Sequence, residues 1–364
     1  MHTYSSATPR AIRKTLATLY QLLHSEEYVS AFEAADACRL IAKWAGRKGL
    51  TVTSLQYAEA CAAILPQSPR ALNFAARTNR LLGQPSRAEV YYERAINFAR
   101  HKSQWAQYVR GNLGLGTIRA AQGKVQAAID YFHAAARAAK SESGERWLAA
   151  RTAHDLLLLQ ADLGYFNEAA ETAIDCLEWY GVHNPRFPAV VHDIGMLFVR
   201  QGRYEIALPL LELVTRANIA PVDQALGWST YARAVAGGGD KARYMEAMGK
   251  ALDFITRFPV HGSAVFNNLA FGAQSLGLWE HAEIYAREGA ARAVAGTAEA
   301  RDATKLLSDC TTRTVPQYDS RPLTGYPWDR LFQLLADVPR RMTAWRGPTF
   351  TKRHEDGPPP DVEF

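Results

Sequence analysis

Cysteine is scarce in this chain. Cys38, Cys61, Cys176 and Cys310 are its only four in 364 residues, too scattered for a disulfide framework and without the CxxC spacing of a zinc site. They read as free, buried thiols of a reducing compartment, so a cytoplasmic location is expected. Long apolar runs are missing too: none approaches the ~18 residues a membrane span requires, and the opening MHTYSSATPRAIRK lacks the apolar stretch of a secretory signal. Signatures of catalysis are equally short. There is no GxSxG elbow, no GKS or GKT loop and no Cys-His pairing with local context. GNLGLG, Gly111 to Gly116, has the glycines of a phosphate loop, but no strand precedes it. These absences argue against an enzyme, a resident metal and a cofactor.

What the chain has is apolar content of 48% and a net charge of +6, unevenly spread. Arg39 to Lys124 holds fourteen Lys or Arg against Glu59, Glu89 and Glu93, a local charge of +11, so the remainder is net acidic. A basic half of this kind suits an anionic partner, either an acidic protein segment or nucleic acid.

Single glycines count out a period. Gly49, Gly83, Gly123, Gly164, Gly202, Gly239 and Gly277 each follow an apolar stretch at intervals of 34 to 41 residues, the length of one helix hairpin. Relative to Gly123, Gly116 lies seven before, Ala128 five after, Phe132 nine after and Ala135 twelve after; Ala76, Gly83, Ala88, Tyr92 and Ala95 repeat the offsets. Antiparallel helices crossing at about 8–10 Å need small side chains at the contact, and the turn between them needs a residue that accepts positive φ. The apolar period is helical on both arms, with Val190, Ile194 and Leu197 on one and Ile206, Leu210 and Leu213 on the next. A hairpin with such a stripe cannot bury it alone, so neighbours must stack.

This pattern resembles the tetratricopeptide repeat over about Ala31 to Gly296. Its units, longer than the family's usual length, are similar to those of the tetratricopeptide-like arrays of bacterial regulatory proteins. The resemblance implies an all-α, right-handed α-solenoid of stacked antiparallel hairpins. Three departures stand out: the family's tryptophan is absent, Pro209 falls in a second helix, and Tyr244 occupies an alanine position. Residues 1–48 are expected to form an N-terminal helical cap, with helices over Pro9 to Leu23 and Glu26 to Gly46, and residues 49–312 the array. Residues 313–364 are rich in Pro and aromatics. They should hold one short helix, Trp328 to Val338, burying Leu331, Leu334 and Leu335 and stopped before Pro339, followed by a mobile tail.

A His-Asp pair recurs in register, His154-Asp155 and His192-Asp193, each ten residues before its glycine, and Asn73 and Asn267 take the histidine's place elsewhere. The resemblance puts this position, with the second and ninth residues of each first helix, on the concave groove. Helices spaced about 9–10 Å apart do not bring two imidazoles within reach of one metal ion. Two readings of the pairs stand: Asp155 or Asp193 orients a neighbouring helix, or the histidines meet a ligand. Arg70, Asn73 and Arg77 on one first helix are similar to the basic and amide groups with which some tetratricopeptide modules hold a peptide carboxylate. Arg110, Arg151, His154, His192 and Asn267 extend the candidate site. The expected function is a non-enzymatic scaffold or regulatory adaptor that takes an acidic protein or peptide segment in its groove. The alternative is a nucleic-acid-binding accessory protein acting through the basic half.

Overall fold

The computed structural model describes residues 30–142, 146–181, 184–257, 262–293, 298–315, 318 and 322–345. The expected helix at Pro9 to Leu23 and the tail Lys352 to Phe364 lie outside them. Among the described residues all regular structure is helical: α1 Ala31–Arg47, α2 Thr51–Ile64, α3 Pro69–Leu81, α4 Pro85–His101, α5 Trp105–Ala121, α6 Val125–Ser141, α7 Arg146–Asp162, α8 Phe166–Trp179, α9 Phe187–Arg200, α10 Tyr204–Arg216, α11 Pro221–Gly237, α12 Lys241–Arg257, α13 Gly262–Ser275, α14 Trp279–Arg292, α15 Ala298–Thr312, α16 Trp328–Leu335 and α17 Val338–Ala344. None of the described helices is long and apolar enough to cross a membrane. The chain forms two compact units whose main division falls inside α7, between Thr152 and Ala153.

The period read from the glycines is the hairpin turn. All seven have positive φ, between 69° and 85°. In each case the residue after the glycine donates its backbone N–H to the carbonyl five back: Gln84 to Asn79 at 2.8 Å, Lys124 to Arg119, Tyr165 to Gln160 and Arg203 to Phe198 at 2.9 Å. This is the Schellman closure of a helix, which only a residue tolerant of the left-handed region completes without strain. The same residue's carbonyl then receives the first N–H of the next helix, from Ala88, Ala128, Ala169, Ala207 or Ala282, and each of these alanines is fully buried. Turn and small-residue crossing are therefore parts of one local construction. α1 begins later than expected because Ser30 and Glu33 form a capping box, Ser30 Oγ accepting from Glu33 N at 3.3 Å and Glu33 Oε2 from Ser30 N at 3.0 Å. α1 pairs with α2 across Gly49, so this helix is the first arm of a hairpin.

Small residues meet large ones across the hairpins. A Cβ on Gly116 would stand 2.9 Å from Phe132, its aromatic partner in the repeat, and the glycines of GNLGLG are all buried inside α5 against Ile96, Tyr92 and Phe132. Tyr244 has its departure answered in the following helix: a Cβ on Gly272 would lie 2.7 Å from its ring, and the Tyr244 hydroxyl donates to Leu269 O at 2.9 Å. α10 runs through Pro209.

The C-terminal segment departs from expectation. Pro339 does not end a helix; α16 stops at Leu335, and Pro339 lies in the first turn of α17, where its missing N–H costs nothing. Trp328 and Leu331 are buried, Leu334 and Leu335 only partly. Residues to Trp345 are docked on the second unit rather than loose. α16 packs on α8, and α17 on α9 and α10. Trp328 Nε1 donates to Asn167 Oδ1 at 2.9 Å, Trp345 Nε1 to Asn184 O at 3.1 Å, and Arg341 to the carbonyls of Leu177 and Tyr180 at the end of α8.

If Gly272 exists to admit the Tyr244 ring, Gly272→Ala lowers stability by about 1–3 kcal/mol in urea unfolding. Adding Tyr244→Ala to it then costs less than the sum of the two single losses. Additive effects in that cycle would show that the two positions are not complementary.

Candidate functional site

The polar residues of the first helices fall into two groups, those turned between helices and those on the surface. In the second unit, the register that holds the His-Asp pairs is polar in four consecutive repeats: His154-Asp155, His192-Asp193, Ser229-Thr230 and Asn267-Asn268. The helices α7, α9, α11 and α13 carry them, and neighbouring members bond across the helix layer. Asp193 Oδ2 lies 2.5 Å from His154 Nε2 and its Oδ1 lies 2.7 Å from His192 Nδ1. His192 Nε2 is 2.9 Å from Thr230 Oγ1, which accepts from Asn268 Nδ2 at 3.1 Å. Arg233 Nη1 donates to Asn268 Oδ1 at 3.3 Å, with its guanidinium 4.0 Å from the centre of the Phe271 ring.

The chemistry of this ladder sets the direction of its protons. An ionised carboxylate only accepts, so the proton in each Asp193 bond is on the imidazole, at Nε2 of His154 and Nδ1 of His192. In a neutral His192 ring, Nε2 then accepts from the Thr230 hydroxyl, whose oxygen accepts from Asn268. Burial works to raise the Asp193 carboxyl, but the hydrogen bonds from His154 and His192 outweigh it and hold the group below the ordinary carboxylate range. The two imidazoles thus meet around a carboxylate. Of the two readings the sequence left open, Asp193 is seen orienting neighbouring first helices. Among the described residues no group of three or more His, Cys, Asp or Glu is arranged to hold a metal ion.

Asn73 and Asn267, in the histidine's register, make comparable bridges. Asn73 Nδ2 donates to Gln107 O at 2.8 Å, joining α3 to α5, and Asn267 Nδ2 donates to Glu299 O at 2.8 Å, joining α13 to α15. Asn73, His154, His192 and Asn267 are all buried, between 3% and 7% exposed. The arginines differ: Arg70 is exposed and Arg77, Arg110 and Arg151 are half-buried. The Arg110 guanidinium lies 5.3 Å from the centre of the Trp147 ring on α7. The structure therefore divides the predicted residues into an inter-helix set and a surface set.

Ser229, Thr230, Asn268 and Arg233 escaped the sequence reading. The signal is present in the sequence, since the two positions at the same offset from each glycine are polar in four successive repeats. The four cysteines are buried and free. Burial pushes the Cys61 thiol up to about 11, helped by nearby Cys38, and raises Cys176 well above the usual range, the opposite of what a nucleophile requires.

Replacing the ladder's acceptor tests its weight. Asp193→Asn removes the charged acceptor from both imidazoles and turns an amide NH2 toward one of them, and is expected to lower stability by about 2–3 kcal/mol. Because the folded carboxyl titrates below its unfolded value, its contribution is complete above about pH 5 and is lost progressively as pH falls from there. Urea midpoints of the parent protein should therefore drop more steeply between about pH 5 and pH 3 than those of Asp193→Asn. Parallel curves would remove Asp193 from that role.

No protein-family model matches the chain, and no curated protein matches it. Among solved structures, a chain of the APC/C hetero-tetramer Cut9-Hcn1 aligns over 82% of this chain at 15% identity and a TM-score of 0.53. The alignment covers 53% of that chain, so the present one spans about half its length. PilF of Pseudomonas aeruginosa aligns over 63% of this chain and 94% of its own, at 16% identity and a TM-score of 0.46. The C-terminal part of a TPR repeat-containing protein from Cytophaga hutchinsonii aligns over 69% and 93%, at 13% identity and a TM-score of 0.40. Taken with glycine-closed hairpins, small-to-aromatic crossings and bonded first helices, the likeness to the Cut9-Hcn1 chain makes the fold of this chain that of a tetratricopeptide-repeat-like α-solenoid.

Proposed function

We propose that the protein is a non-enzymatic scaffold that binds an acidic protein or peptide segment on the first helices of its basic unit. One observation carries the reading. α3 and α5 together hold Arg70, Arg77, Arg80 and Arg110, as well as Arg119, which pairs with Glu89 of α4 at 2.9 Å, and neither helix itself contains an aspartate or glutamate. Ordinary solvated helices mix charges of both signs, as α12 does with Lys250 on Glu246 and α14 with Arg287 on Glu283. First helices of one sign repel cationic partners and attract carboxylates, and arginine holds a carboxylate in two parallel bonds.

In this reading the surface arginines Arg70, Arg77, Arg110 and Arg151 meet the partner. Asn73 acts behind those of the first unit by joining α3 to α5, and His154, His192 and Asn267 join the first helices of the second unit. The similar Cut9-Hcn1 chain is part of a hetero-tetramer, which supports a partner-binding use of such a fold. The carboxylate and imidazoles of the buried ladder are engaged with one another, which supports a structural use of them in this reading.

The test is affinity capture from nuclease-treated native extract with the parent protein and with Arg70→Glu/Arg110→Glu/Arg151→Glu. Circular dichroism confirms that the variant is folded. Loss of captured proteins that share acidic segments, by about tenfold or more, is expected. Unchanged capture would end the assignment, and capture abolished by the nuclease alone would transfer the role to nucleic acid.

A further inference from the structure

The arginine surface has a pitch, and the pitch specifies the shape of what binds it; the inference rests on the acidic-segment reading above. Arg70, Arg110 and Arg151 each stand thirteen residues before the glycine of their hairpin, at Gly83, Gly123 and Gly164. They therefore share one position on three consecutive first helices, α3, α5 and α7. The row has ends. The same position holds Asp36 in the preceding repeat, paired with Arg39 at 2.7 Å, and Ala189, Leu226 and Ala264 in the following ones.

Two contacts tie the row together. Asn73, one turn after Arg70, bonds to Gln107, one turn before Arg110, at 2.8 Å. Arg110 in turn lies over Trp147, one turn before Arg151, at 5.3 Å. Adjacent members are thus set by the packing of neighbouring helices, about 8–10 Å apart. A polyproline-II segment has three residues per turn and advances ~3.1 Å per residue, so side chains three apart lie on one face about 9.3 Å from each other. A β-strand presents one face every ~6.6 Å, which misses the row. An α-helix reaches ~10.5 Å only at every seventh residue. A short segment disfavours that state, because isolated short helices are marginal in water and must be ordered on binding.

We infer that the row Arg70, Arg110 and Arg151 recognises a polyproline-II segment carrying three carboxylates at every third residue, one per first helix. The segment binds with little conformational loss because an acidic, proline-containing chain already favours this form. Each arginine takes one carboxylate, and affinity falls when the spacing of the acids departs from the helix pitch.

The experiment uses the full chain and three fluorescein-labelled, end-capped nonapeptides of identical composition: Glu-Pro-Pro-Glu-Pro-Pro-Glu-Pro-Pro, Glu-Pro-Glu-Pro-Glu-Pro-Pro-Pro-Pro and Glu-Pro-Pro-Pro-Glu-Pro-Pro-Pro-Glu. Fluorescence anisotropy reads their affinities for the parent protein and for Arg110→Ala. The first peptide is expected to bind about tenfold more tightly than the other two, and Arg110→Ala to reduce it to their level. Equal binding of all three overturns the register while leaving an acidic-segment scaffold in place. A seven-spaced acidic helical peptide outcompeting the first would also overturn it, in favour of a helical ligand. No binding of any acidic peptide, with tight binding of labelled oligouridylate instead, overturns both the register and the scaffold reading.

Discussion

Closure of the helix hairpin at a left-handed glycine is the constraint from which the rest of this molecule follows. After the glycine, one backbone N–H returns to the carbonyl five residues back, and the carbonyl of that same residue starts the next helix. The reversal is complete in three residues, so the two helices lie side by side from their first turn. Side chains at the crossing must then be small or be met by a small one. Ala88, Ala128, Ala169, Ala207 and Ala282 satisfy the first condition. Gly272 beneath Tyr244 satisfies the second, which is why a tyrosine can occupy an alanine position without opening the hairpin.

Between hairpins the second unit uses polar chemistry as well as apolar packing. A carboxylate shared by two imidazoles, continued through Thr230 and Asn268 to Arg233, joins four first helices through directed hydrogen bonds. Apolar contacts tolerate sliding by a fraction of a turn, whereas these bonds hold only in one alignment. The first unit has a simpler counterpart in Asn73 on Gln107. Fixed alignment matters for a binding surface, since side chains on different helices act together only if their spacing is constant. The arginines thirteen residues before the hairpin glycine on α3, α5 and α7 inherit that constancy.

Charge completes the division of labour. Most of the ladder's polar atoms bond to one another, with His154 Nδ1 and Arg233 Nε left over, while α3 and α5 of the first unit present cations on helices without a carboxylate. The C-terminal segment belongs to the second unit, where Trp328, Arg341 and Trp345 anchor it to side-chain and backbone oxygens of α8 and the turn before α9.

By itself the sequence determined the hairpins and their small-residue crossings, because each depends on residues within one period of the chain. The seven glycines needed no tertiary information to be read as turns. The recurrence of His154 and His192 was equally visible. Only the tertiary structure decided what the histidines face. Their partners are residues 38 or 39 positions away on the next first helix, and nothing local distinguishes a side chain turned between two helices from one turned toward solvent. The same reason separates Asn73 and Asn267 from Arg70, and hid the docking of Trp328 on Asn167, a contact across 161 residues that local propensity does not encode.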